Sequence, residues 1–133
     1  MRNARLLLPA VLLAVGLGAA QRHRTTGDGV YTTAQADTGA RHFEQLCQSC
    51  HVPTWEKQTG LYAKWRGKSL TELATYLWFE MPQTGPGVLT REEYATVTAY
   101  LLRLIGNPPG HIPLNANPDA LADIRIDTLR SRR

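Results

Sequence analysis

The chain is poor in cysteine and methionine, with two of each in 133 residues. It also lacks any convincing alternation of apolar and polar residues. Each shortage excludes something. Two cysteines cannot build the bridge network of a disulfide-stapled domain, and one bridge between positions three apart closes a tiny loop that stabilises little. They also fall short of a four-ligand zinc site, because His23, His42 and His111 are scattered and supply no second pair. Without strand periodicity, a thioredoxin-type dithiol in a βαβ frame has no support. Paired carboxylates, a Ser–His–Asp set, a phosphate-binding glycine loop and internal repeats are all missing. Glu92 and Glu93 sit together at a helix start, where they complement the macrodipole rather than form a catalytic dyad.

Long apolar runs are missing too. The longest, Leu6 to Ala20, lies between Arg2 and Arg5 on one side and Arg22 and Arg24 on the other. It stops short of the roughly 20 residues that a membrane span needs. Its small residues Gly18 and Ala20 make residues 1–20 a secretory signal peptide cleaved before Gln21, so the protein is expected in the periplasm, with no stable membrane span after cleavage. No cysteine follows the cleavage site to carry a lipid. Removing Arg2 and Arg5 from the 15 basic residues leaves 13 against 11 acidic ones. That near-balance, with no basic cluster interleaved with aromatics, excludes nucleic acid as a partner. Arg130, Arg132 and Arg133 read as a solvated tail.

What the chain does contain is "EQLCQSCHVP" at 44–53, which places both cysteines and a histidine within five residues. A metal clip, a redox dithiol, a buried pair and a covalent cofactor attachment point are the options. With no second ligand pair and no strands, C-x-x-C-H haem attachment is the reading that remains. Cys47 and Cys50 can each add across one porphyrin vinyl group, and the imidazole of His51 can reach the iron. One mature-chain methionine is left for the other axial position: Met81, at the start of the stiff loop "MPQTGPG". His42 and His111 are the alternatives.

Capping boxes place the helices. Thr32 with Gln35 opens one running to about residue 50, with Ala36, Ala40, Phe43, Cys47 and Cys50 on one face. A loop is expected from Val52 to Lys68. Ser69 with Glu72 opens a second helix with Leu70, Leu73, Leu77 and Phe79 apolar. Thr90 with Glu93 opens a third, carrying Tyr94, Val97, Leu101 and Leu104 and ending at "GNPPG". The tail after 110 is extended or short-helical, with Asn117 or Asp119 as a cap. The expected organisation is an all-α domain of three or more short helices and long loops. Its parts are a signal peptide at 1–20, a flexible lead-in at 21–31, the domain at 32–107 and a C-terminal extension at 108–133. So small a core needs a staple such as a large cofactor.

From Tyr31 to Gly106 the chain resembles the class I c-type cytochromes. Gly39, Phe43 and Cys47 are spaced four and four, and Tyr100 in "VTAYLLRL" matches the aromatic of the crossing helix. "GVYTTAQADTG", "KWRGKSLTELATYLWFEMP" and "PGVLTREEYATVTAYLLRLIGNPPG" are similar to bacterial monohaem cytochromes linked to quinoprotein dehydrogenases. The resemblance implies one covalent haem c per chain and close approach of the first and last helices at Gly39. It also implies a haem-side tryptophan at Trp65 whose N–H reaches a propionate; Arg66 is a second propionate candidate. It implies an electron carrier rather than an enzyme, with a quinoprotein-type dehydrogenase as donor and an oxidase or another cytochrome as acceptor in a respiratory chain. An open-site haem enzyme or sensor, and a subunit of a larger dehydrogenase or sulfur-oxidising complex, are the alternatives. The family's proline that accepts the proximal imidazole N–H has no clear match, since only Pro53 lies between His51 and Pro82.

Overall fold

The computed structural model describes residues 24–51, 60, 61 and 63–127. The signal segment 1–20, His23, Pro53 and the arginines at 130, 132 and 133 lie outside the described residues. Within them the protein is mostly helical, as a cytochrome c-like domain is. Its named helices are α1 (Thr33–Leu46), α2 (Leu70–Glu80) and α3 (Arg91–Leu104).

The caps explain where these helices begin. Ser69 and Glu72 close a reciprocal box at α2, and Thr90 and Glu93 close another at α3. Thr32 accepts the Gln35 N–H at 3.2 Å, but the second half of that expected box is absent. The Gln35 amide is taken by the C-terminal segment: its Nε2 donates to the Leu114 carbonyl at 3.0 Å and its Oε1 accepts the Leu114 N–H at 2.7 Å. At the far end of α3 the Gly106 N–H donates to Arg103 and the Asn107 N–H to Leu102. With Gly106 at φ 86°, this is a Schellman stop.

Helices α1 and α3 cross in close contact. A Cβ built on Gly39 falls on the carbonyl oxygen of Thr96, so only glycine fits there. One turn on, Phe43 packs against Tyr100 with ring centroids 5.2 Å apart. The aromatic pairing and the small residue expected from the sequence thus occur together. Phe79 does not join the buried face of α2: it is 63% exposed, because Leu70, Leu73 and Leu77 define a stripe that residue 79 lies off.

The tail after 110 is extended with one short helical turn capped by Asn117, as expected, and the described part of the lead-in packs against it. Neither hangs free over its described length. Arg24–Thr25 (β1) pairs in parallel with Ile124–Arg125 (β2), a strand pair too short to show as alternation. Asn107 is buried and ties the lead-in to the end of α3: its Oδ1 accepts the Thr26 hydroxyl at 2.7 Å and its carbonyl accepts the Tyr31 hydroxyl at 2.6 Å. The extension continues through a 3-10 turn, Pro118–Leu121, capped by Asn117. It buries Leu114, Leu121, Ile124 and Ile126 in the same core as Tyr31, Leu70 and Leu102. The expected loop before Lys68 also contains helix, at residues 60–61 and 63–65.

Candidate functional site

The turn after α1 shapes the cysteine–histidine motif. The Cys47 N–H donates to the Phe43 carbonyl at 2.8 Å, and the Gln48 N–H donates to the same oxygen at 2.9 Å. The second bond spans five residues instead of four, so the α ladder ends there. The helix therefore stops at Leu46, short of the expected residue 50. The Cys47 carbonyl then accepts both the Cys50 N–H at 3.1 Å and the His51 N–H at 2.8 Å. A single carbonyl folds both thiols and the imidazole into one turn.

That turn forms part of the wall of a cavity of about 670 Å³. Phe43 and Leu46 of α1, Leu73 and Leu77 of α2, and Val97, Leu101 and Leu104 of α3 make its wall mostly apolar. Its volume lies in the upper half of the range of ligand pockets, about 300–1,000 Å³. The cavity is open to solvent on one side, but water gains little against apolar walls. The fold is shaped for a large, largely apolar occupant.

The donors in the wall narrow its chemistry. Cys47, Cys50, His51 and Met81 all line the cavity. Among the described residues no three His, Cys, Asp or Glu side chains gather to hold a metal ion. The Cys47 thiol is pushed up from its ordinary value by burial and then by Cys50. A redox dithiol needs the opposite, a thiol lowered at a helix N-terminus, whereas Cys47 sits at the negative, C-terminal end of α1. Two thiols, one imidazole and one thioether around an apolar cavity fit a haem held by thioether links and two axial ligands.

Met81 is the C-cap of α2, its N–H donating to the Leu77 carbonyl at 3.1 Å. Its own carbonyl accepts the Tyr94 hydroxyl at 2.5 Å, and that hydroxyl accepts the Gly87 N–H at 3.0 Å. The loop from 81 to 87 is thus fastened to α3 at both ends by one phenol. The histidines weighed against Met81 are elsewhere. His42 Nδ1 lies 3.0 Å from the Thr96 hydroxyl, which itself donates to the Glu93 carbonyl, so Nδ1 is the donor there. His42 and His111 are not in the cavity wall.

Trp65 is 5% exposed, lines the cavity and packs on Tyr76 with centroids 5.2 Å apart. Arg66, expected beside it, is exposed and no part of the wall. One residue earlier, Lys64 lines the cavity instead. Sequence reasoning passed over it because the segment read as loop. The spacing of Leu61, Lys64 and Trp65 at three and four was the available sign.

The family model described as "Cytochrome C oxidase, cbb3-type, subunit III" matches residues 34–101, which include the motif turn, Met81 and most of α3. No curated protein and no solved structure matches the chain.

Proposed function

The chain belongs to that cytochrome c family, and from this premise we propose that it is a periplasmic single-electron carrier with one covalent haem c closed by two axial ligands. Membership implies haem c and electron transfer in place of substrate turnover. The finer assignments are our reading. Cys47 and Cys50 would form the thioether links, and His51 and Met81 would hold the iron. The observation that carries this is the presence of all four in the wall of one apolar cavity.

When bound, the haem supplies an iron that shuttles between two oxidation states, and thioether ligation raises its potential. The chain's residues do the rest. The 47–51 turn presents the imidazole beside the two attachment sulfurs. The Tyr94 phenol holds the Met81 loop against α3. With haem filling the cavity, the apolar wall would leave little room for water, which would keep electrostatic effects on the potential strong. With Met81 on the iron no site would be left for an outside ligand, which favours a carrier over an enzyme or gas sensor. The donor we propose is a quinoprotein-type dehydrogenase, and the acceptor a respiratory oxidase or another cytochrome.

The family description, naming an oxidase subunit, favours a second reading in which the chain works within a complex. Purification without a partner separates a free carrier from a subunit. The experiment that tests the primary reading is haem staining of the denatured protein with a pyridine haemochrome spectrum. Covalent c-type haem in the wild type, lost when Cys47 and Cys50 are both changed to Ala, is the expected result. A colourless, stably folded protein made alongside haem-attachment machinery would refute it.

A further inference from the structure

We propose that Lys64 is the counter-ion of the haem carboxylates in this protein and so sets the pH dependence of its potential. The inference rests on the haem reading above and adds a residue to it.

A haem carries two propionate carboxylates, and an apolar cavity must offer them a polar edge. Among the described wall residues no Asp or Glu is present, and Lys64 is the only lysine or arginine. The ion pairs among the described residues are His42–Glu93 and Arg103–Asp37, and Lys64 joins neither. Its ammonium is instead held by rings: Nζ lies 4.1 Å from the Tyr76 centroid and 5.2 Å from that of Trp65. Both rings are themselves in the cavity wall. Contact with the face of an aromatic ring favours a cation and limits its wandering. Lys68 adds a second ammonium, 4.9 Å from the Trp65 centroid but outside the wall. A cation held against two rings of the cavity wall, with no acidic partner among the described residues and beside a tryptophan, is suited to receive carboxylates there.

The sign follows from charge. Ionisation of a propionate stabilises ferric iron, so the potential falls as pH rises through the carboxyl group's titration. A nearby ammonium favours the ionised form and moves that fall to lower pH. The test is the reduction potential against pH for wild type, Lys64→Gln, Lys64→Arg and Arg66→Gln, each checked for covalent haem, visible spectrum and melting. Lys64→Gln should move the fall about one unit to higher pH, the low end of the effect of an opposite charge because Lys64 is exposed. Lys64→Arg should restore the wild-type curve, and Arg66→Gln should leave it in place. A Lys64→Gln curve that overlays wild type, or a shift produced by Arg66→Gln instead, overturns the proposal while the haem reading stands. A wild type without covalent haem overturns both.

Discussion

The phenol of Tyr94 donates to the backbone carbonyl of Met81 at 2.5 Å and accepts the N–H of Gly87 at 3.0 Å, so one side chain of α3 clasps both ends of the loop that carries the thioether. Tyr94→Phe removes both bonds and keeps the ring that packs on Trp78 at 5.2 Å. We expect a loss of about 1–2 kcal/mol in chemical denaturation. The functional sign should be larger: a weakened sulfur-to-iron charge-transfer band in the oxidised protein and partial access of carbon monoxide to the reduced one. A variant with the wild-type band and no carbon monoxide binding would show that the loop is held by other contacts.

Gly39 tests the helix crossing. Any side chain there meets the Thr96 carbonyl, part of a backbone that cannot rotate away. Gly39→Val should destabilise by on the order of 3 kcal/mol, the upper end for overpacking. Gly39→Ala should already be measurably worse than wild type in urea. Equal midpoints would mean that the helices separate at small cost.

How far the sequence carried the structure can be seen at three places. Ser69–Glu72 and Thr90–Glu93 were legible because a capping box is a local interaction within four residues. Gln35 has the same spacing, yet its amide is spent on Leu114, 79 residues away, and nothing local announces that. The buried role of Asn107 and the pairing of β1 with β2 were hidden likewise, since each is a contact between segments far apart in the chain. Cys47, Cys50, His51 and Met81 stood out in the sequence by chemistry and scarcity, and the fold places all four in one cavity wall. Lys64 did not, because short helical segments surrounded by glycine and polar residues carry little periodic signal.

The extension is internal structure, and that has a consequence. Ile126 is 1% exposed, its carbonyl accepts the Gly67 N–H at 2.8 Å and its N–H donates to Lys68 at 2.9 Å. It therefore pins the turn that follows Trp65. Ile126→Ala should lose about 2–4 kcal/mol, and truncation after Asn107 should leave little folded protein. A truncated chain with wild-type melting and spectrum would instead make residues 108–127 a dispensable arm.

Stability against pH should have two limbs. Glu72 and Glu93 are lowered, first by the backbone N–H of Ser69 and Thr90 that they accept. Their contribution is full above the ordinary value of 4.5 and is lost as pH falls through the lowered folded values. Tyr31 is raised by burial, against a smaller lowering by Arg103, so its contribution is full below 10.0 and is lost as pH rises past that. Replacing both glutamates with Gln should flatten the acid limb and leave the alkaline one. An unchanged acid limb in that double variant would assign it to other carboxylates.

The central claim is that Met81 completes the iron coordination begun by His51. The most direct measurement is the visible spectrum of oxidised holoprotein, wild type beside Met81→Ala, followed by carbon monoxide added to the reduced forms. Wild type should show the sulfur-to-iron charge-transfer band and ignore carbon monoxide. Met81→Ala should keep its covalent haem, lose the band, fall in potential and bind the gas. If wild type lacks the band, or Met81→Ala leaves spectrum and potential unchanged, Met81 is not the ligand and the closed-site carrier is contradicted.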